Sequence, residues 1–194
     1  SHPQFPKFIW KPKICDVGCG IGVGCNIMSQ EADFVWGIDK NEKSILFAKE
    51  AFERQKNNIY YTPQISFDIV DILTDEREIM QFDIITFIET IEHFDDYNKA
   101  LDFIKKLCKR DKGGNFLEPP HSTIIFISTP NRNSPTIKKT HPYNKYHVRE
   151  WTVAEFYDIL IKRFKYVTMM DWKGNFVDLD TQETPIMAKC EVPL

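Results

Sequence analysis

A chain of 194 residues suffices for one domain with a buried core and falls short of two ordinary ones. Apolar residues at 42% and charged residues at 27% exclude a disordered chain, and a net charge of −3 excludes the global basic field of many nucleic-acid binders. The cysteines Cys15, Cys19, Cys25, Cys108 and Cys190 are odd in number and form no C-x-x-C pair, so neither a zinc site nor a redox motif is indicated. A reduced, cytoplasmic protein is the simplest expectation. No apolar stretch approaches the roughly 20 residues of a membrane span, and no signal peptide is visible. Residues 1–5, Ser-His-Pro-Gln-Phe, coincide with the core of a streptavidin-binding tag; they are set aside, leaving a single domain over 6–194. So early a first strand fits either a compact protein or a piece of a longer polypeptide.

Short apolar runs alternate with longer amphipathic stretches along the chain, which predicts helices flanking a mainly parallel sheet. Strands are expected at Lys13–Val17 and Phe34–Asp39, the second ending in a carboxylate. Asn41 then caps a helix over Glu42–Arg54 whose Ile45, Ala48 and Phe52 share a face. Ile65–Ile72 reads as the third strand, and Phe82–Ile88 as a fourth apolar enough to be buried on both faces. A helix over Tyr97–Lys109 places Leu101, Ile104 and Cys108 at core spacing, and Thr123–Ser128 is the fifth strand. Thr152-x-x-Glu155 is a capping box with Trp151 and Phe156 as its hydrophobic staple, predicting a helix to about Arg163. Phe164–Trp172 and Thr184–Val192 close the chain as two strands joined by a turn at Lys173-Gly174-Asn175.

The chemistry begins at the end of the first strand. The run Asp16-Val-Gly18-Cys-Gly20-Ile-Gly22-Val-Gly24 turns sharply where a ligand can approach the backbone closely. A dinucleotide fingerprint G-x-G-x-x-G has its third glycine at Val23 in one register and at Cys25 in the other, so NAD is disfavoured; no Gly-Lys-Ser/Thr follows, so a P-loop is absent. A ligand with an amino-acid tail suits such a loop. Asp39, 19 residues after Gly20, can accept hydrogen bonds from both hydroxyls of a ribose, or serve simply as an acid at a helix N-terminus. Asp71 can accept an adenine amine, with Asp68 and Asp75 as competitors. Three strand ends then converge on one nucleoside.

The run Asp16-Val-Gly-Cys-Gly-Ile-Gly22, then Gly37-Ile-Asp39, Asp71-Ile72, and Phe82-Asp-Ile-Ile85 leading to Glu89 resembles the class I methyltransferases over nearly the whole chain. The resemblance implies a three-layer α/β/α, Rossmann-like sheet of about seven strands, mostly parallel with an antiparallel C-terminal hairpin, that binds S-adenosylmethionine. It places Gly18, Gly20 and Gly22 at the methionine part, Asp39 at the ribose and Asp71 and Ile72 at the adenine, with Asp16, Cys19, Lys40 and Ile88 as further cofactor-binding residues. Glu89-Thr-Ile-Glu92-His93, Ser128-Thr-Pro-Asn131-Arg132 and Tyr146-His147-Val-Arg149-Glu150-Trp151-Thr152 are similar to the branch of ubiquinone-pathway and sugar O-methyltransferases. Glu-x-x-Glu-His also resembles the metal site of small-RNA 2′-O-methyltransferases, with His147 or His141 completing Glu89, Glu92 and His93 around Mn²⁺ or Mg²⁺. Without a metal, His93 is the candidate general base and Glu89 its catalytic neighbour; alternatively Glu92 and His93 only cap a helix.

Residues 132–149 contain Arg132, Lys138, Lys139, Lys145 and Arg149 and no acid, in a loop after the fifth strand. With Tyr143 and Tyr146 it reads either as a lid over an anionic acceptor or as a solvated loop, and Asn131 is expected to fix its geometry. Three functions follow. The leading one is an O-methyltransferase of a small hydroxylated acceptor such as a sugar or a phosphorylated metabolite. The second is a metal-dependent RNA 2′-O-methyltransferase, disfavoured by the modest charge. The third is a non-catalytic cofactor-binding module, for which Glu-x-x-Glu-His would have no use.

Overall fold

The computed structural model describes residues 11–56, 64–136, 144–182 and 184–194. Apolar strands alternate with amphipathic helices, and the chain winds them into β1 (Lys13–Val17), α1 (Val23–Met28), β2 (Phe34–Asp39), α2 (Glu42–Lys56), β3 (Ile65–Ile69), β4 (Ile84–Phe87), a 3₁₀ turn (Ile91–His93), α3 (Tyr97–Lys106), β5 (Ile124–Thr129), α4 (Val153–Leu160), β6 (Phe164–Met170) and β7 (Ile186–Pro193). The seven strands form one sheet in the order β3-β2-β1-β4-β5-β7-β6. β3, β2, β1, β4 and β5 are parallel, while β7 runs antiparallel to both β5 and β6.

Alternation along the strands sends side chains to two cores. Cys15, Val17, Ile85 and Phe87 join a large cluster with Leu101, Ile104, Phe156 and Leu160 from α3 and α4. Ile14, Val35 and Phe67 join a smaller one with Cys25 of α1 and Ile45, Ala48 and Phe52 of α2. The face of α2 read from the sequence is therefore the one it buries. All five cysteines are free, and no helix among the described residues is long and apolar enough to cross a membrane. The tag-like residues 1–5 lie outside the described residues.

Several boundaries differ from the sequence pattern for identifiable reasons. α1 has six residues, no side-chain cap and one buried residue, Cys25, so it shows no periodicity to read. β3 stops at Ile69 because Asp71 turns the chain, its Oδ1 accepting from the Leu73 N–H at 3.0 Å. Phe82 and Asp83 stand outside β4, with Phe82 bridging to Cys108 instead. Cys108 lies beyond the end of α3 and is buried all the same. α4 ends at Leu160 rather than near Arg163. The last two strands are not joined by one tight turn: the chain reverses at Asp171–Asn175, where the Asp171 N–H donates to the Asn175 carbonyl at 2.9 Å, and a further stretch leads to β7. That stretch is tied to Asn131 after β5, whose N–H donates to Thr184 Oγ1 at 3.1 Å and whose Nδ2 donates to the Thr181 carbonyl at 2.8 Å.

The capping box of α4 is present as read, with Thr152 Oγ1 accepting from the Glu155 N–H at 3.2 Å and Glu155 Oε2 accepting from the Thr152 N–H at 2.8 Å. Trp151 and Phe156 pack at 5.9 Å between ring centroids, which completes the staple. Thr152→Ala should cost about 1 kcal/mol of stability, read as a lower urea midpoint at unchanged slope; an unchanged midpoint would show that the box contributes nothing here.

Candidate functional site

Parallel strands carry their loops to one edge, and at the carboxyl ends of β1, β2 and β4 a cavity of about 480 Å³ opens. Of the residues expected to hold a nucleoside and its tail, Gly18, Asp39, Lys40, Asp71 and Ile72 line it, together with Glu89 and His93. Three consecutive N–H groups of the glycine loop tie that loop to the end of β2. Those of Gly18 and Cys19 donate to the Ile38 carbonyl at 2.8 and 3.0 Å, and that of Gly20 donates to Asp39 Oδ2 at 2.9 Å. Asp39 Oδ1 accepts from the Asn41 N–H at 2.8 Å, so the carboxylate is fixed at the cavity wall with lone pairs left over on both oxygens.

The glycines are demanded by geometry. Gly18 has φ +76°, and a Cβ there would meet Thr90 Cγ2 at 2.4 Å; Gly20 has φ +54° and open space where its Cβ would be. Because their N–H groups are already used, this loop offers a ligand close approach rather than donated hydrogen bonds.

Asp16, Cys19, Gly20, Gly22 and Ile88 do not line the cavity. Asp16 is buried, and its oxygens accept from Thr86 Oγ1 at 2.7 Å and Cys25 Sγ at 3.2 Å. It joins β1, β4 and α1, and burial pushes its carboxyl above the ordinary range. Gly22 starts α1 in the left-handed region, and its N–H donates to the Cys19 carbonyl. Sequence reasoning missed Asn41, Ser44, Thr90 and Phe94 on the cavity wall; they lie in or beside recognised motifs and carry no ligand pattern of their own. Tyr146, read from the sequence as part of the basic segment overhanging the ligand edge, also reaches that wall.

Glu-x-x-Glu-His folds as a sharp turn followed by the 3₁₀ turn, and the helix after it, α3, is capped by Asp96 rather than by Glu92 or His93. Glu89 sits at φ 47°, uncommon for a residue with a side chain. Two bonds to Ser128 hold it there: the Ser128 hydroxyl donates to Glu89 Oε1 at 2.8 Å, and the Glu89 N–H donates to Ser128 Oγ at 3.0 Å. Burial raises the Glu89 carboxyl above its usual value, partly offset by Ser128 and His147.

Glu92 is fully buried, and neither carboxylate oxygen has a hydrogen-bond partner among the described residues. The Thr129 hydroxyl favours its charged form slightly from nearby without reaching hydrogen-bond geometry. Burial first, then the charges of Glu89 and Glu150, push Glu92 up to about 8. An ionised carboxylate there is costly unless a cation balances it.

Residues 146–149 fold back over this turn. The Val148 N–H donates to the Glu92 carbonyl at 2.9 Å, His93 Nδ1 bonds the Tyr146 carbonyl at 3.0 Å, and Arg149 Nη2 donates to the Asp95 carbonyl at 2.8 Å. His147 is thereby placed against His93, ring centroids 4.9 Å apart and edge to face. Glu92, His93 and His147 each bring a ligand atom within 4.8 Å of the others. Glu89, the fourth expected member, lies close enough to act electrostatically on Glu92 and His147 but is turned to Ser128. His141, the other candidate, lies outside the described residues, as do Lys138, Lys139 and Tyr143.

Two charges of the basic segment are used inside the protein. Arg132 makes a two-pronged pair with Glu155 at 2.6 and 2.7 Å, and Arg149 stacks over Tyr97 as well as bonding Asp95. Asn131 has the expected role in shaping the chain here, its Oδ1 accepting from the Asn133 N–H at 3.1 Å.

Comparison with known proteins agrees with this geometry. Residues 11–174 match the family described as "Methyltransferase domain". A ubiquinone biosynthesis O-methyltransferase of Coxiella burnetii is 34% identical over 120 residues, covering 62% of this chain and 44% of that protein. One of Saccharophagus degradans is 28% identical over 149 residues, covering 69% and 56%. The chain thus spans about half the length of the curated relatives it matches. Among solved structures, the small RNA methyltransferase HEN1 superposes with a TM-score of 0.69 at 22% identity, covering 92% of this chain and 23% of that one. The N-methyltransferase NodS from Bradyrhizobium japonicum WM9, in complex with S-adenosyl-L-homocysteine, does so at 0.62 and 16%, covering 95% and 80%. This chain belongs to the methyltransferase-domain family and has the class I, Rossmann-like fold of its S-adenosylmethionine-dependent members.

The buried acid makes stability depend on pH in a defined direction. An acid whose folded value, about 8, lies above its unfolded value of 4.5 stabilises the fold fully below the lower value and loses that contribution as pH rises towards the upper. Glu89 and Asp16 add slopes of the same sign. In cation-free buffer, Glu92→Gln should therefore flatten the fall in urea-derived stability across this window, by up to about 1.4 kcal/mol per pH unit for one proton. Parallel curves for the two proteins would rule the buried acid out as the cause.

Proposed function

We propose that this domain binds S-adenosylmethionine in the cavity and methylates a hydroxyl of a small acceptor presented beside Glu89 and His93. The observation that carries the reading is Asp39, its carboxylate anchored by the Gly20 and Asn41 N–H groups at the cavity wall that Asp71 shares. The fit is good: Gly18 brings bare backbone to the cavity wall, and the two carboxylates suit a ribose diol and an adenine amine. When bound, S-adenosylmethionine supplies a methyl group already activated by its sulfonium.

What remains for the protein is to orient an acceptor and remove a proton. A backbone carbonyl only accepts, so the bond to Tyr146 requires the proton of His93 on Nδ1. Nε2 is left to take a proton from the acceptor hydroxyl, and His93 is exposed enough to be reached. Glu89 stands beside it on the cavity wall. The names of the curated relatives support a hydroxyl acceptor. A preference for an anionic acceptor rests on Lys138, Lys139 and Lys145, because Arg132 and Arg149 are paired internally.

A second reading is favoured by Glu92. Its two carboxylate oxygens, without a partner among the described residues and beside His93 and His147, suit a divalent cation such as Mn²⁺ or Mg²⁺, held by Glu92, His93 and His147 with Glu89 adjacent. Such an ion would supply positive charge that lowers the pKa of acceptor hydroxyls. An RNA 2′-hydroxyl is the alternative acceptor under this reading.

Titration calorimetry with S-adenosylhomocysteine should show binding that Asp39→Ala weakens at least about tenfold, or ~1.4 kcal/mol. No binding, or equal binding by the variant, would end the cofactor assignment. In a screen of hydroxylated acceptors with labelled S-adenosylmethionine, turnover insensitive to EDTA leaves His93 as the base. Loss of turnover with recovery on adding Mn²⁺ selects the second reading.

A further inference from the structure

We propose that Glu150 is a positioning residue that holds the neutral His147 in the Nδ1–H tautomer, so that its Nε2 lone pair faces the buried Glu92. The purpose of this arrangement rests on the second reading above; the geometry does not depend on it.

The side chain of Glu150 is fully buried, and its Oε1 lies 2.9 Å from His147 Nδ1. A carboxylate can only accept, so the ring nitrogen facing it carries a proton, and in the neutral ring Nε2 is then the bare nitrogen. His93 obeys the same rule through a different acceptor, the Tyr146 carbonyl at 3.0 Å from its Nδ1. Two acceptors within one short segment thus fix both rings in the same sense. His147 Nε2 then stands 3.9 Å from Glu92 Oε1, too far for a hydrogen bond. The His147 Nε2 lone pair thus faces a carboxylate with no partner of its own among the described residues, with His93 in the same cluster. Groups arranged in this way compensate one another only through a cation or a shared proton.

Glu150 is itself held from two sides. Arg132 Nη1 donates to its carbonyl at 3.1 Å while the same guanidinium grips Glu155 in the capping box of α4. The next residue, Trp151, accepts from the Arg132 N–H at 2.9 Å and bridges to Asn131 at the end of β5. The carboxylate is therefore delivered by the junction of β5 and α4, and needs no adjustment when a ligand enters. Positioning acids of this kind commonly change metal affinity by about 10- to 100-fold.

Long-range ¹H–¹⁵N spectra of histidine-labelled protein report each ring's tautomer directly, without metal. Wild type should show His93 and His147 as Nδ1–H. In Glu150→Ala, His147 should move to the Nε2–H form while His93 stays, and Glu150→Gln, whose amide oxygen still accepts, should restore Nδ1–H. Retained binding of S-adenosylhomocysteine shows that the variants are folded. An Nε2–H His147 in wild type, which needs no variant to observe, overturns the proposal, as does an unchanged tautomer in folded Glu150→Ala. Calorimetry with Co²⁺ supplies the second readout. Binding to wild type that weakens at least about tenfold in Glu150→Ala and recovers in Glu150→Gln supports the proposal. Wild type that binds no Co²⁺ while its tautomers respond as expected removes the metal reading and leaves the positioning role standing.

Discussion

The bonding of the loop after β1 to the end of β2 is the constraint from which the rest of the cavity follows. Gly18, Cys19 and Gly20 direct three successive N–H groups at Ile38 and Asp39. That ladder extends the parallel pairing of β1 and β2 past the last regular residue and holds the loop flat against its neighbour. Gly18 has to pass Thr90 at a distance no Cβ would permit, so the same loop also registers against the turn that carries Glu89. One backbone arrangement thus sets the spacing between the nucleoside side of the cavity and the acceptor side. Asp16 supports it from beneath by joining β4 and α1 through Thr86 and Cys25.

The acceptor side is built on the opposite principle. Where the glycine loop uses its N–H groups within the protein, the turn at Glu92 leaves a buried carboxylate without a partner among the described residues and sets imidazoles and further acids near it. A fold gains nothing from such a cluster by itself. The strained backbone of Glu89 adds to the cost and is retained only because Ser128 holds it twice. Both features mark this turn as the place where stability is exchanged for chemistry.

The two sides were unequally legible in the sequence. The period of the apolar residues gave α2 its buried face, and the capping box gave α4 its start, because each signal is local. Asp39 and Asp71 could be placed at strand ends for the same reason. Asp16 read as a ligand contact and is a buried strut, since a carboxylate in a glycine loop looks the same in either role until its partners are known. The basic segment read as one electrostatic unit, yet Arg132 and Arg149 are committed to Glu155 and to Asp95 and Tyr97, contacts that span the molecule.

By itself the sequence determined the order of the strands and of every helix but α1, the position of the ligand-binding edge and the residue types gathered along it. These depend on side-chain periodicity and backbone conformation, which act over a few residues. Only the tertiary structure decided that Tyr146, His147 and Glu150 return to the turn at Glu92, and that the Glu92 carboxylate has no hydrogen-bond partner among the described residues. Desolvation is a property of everything packed around a group, and no spacing within the chain encodes it.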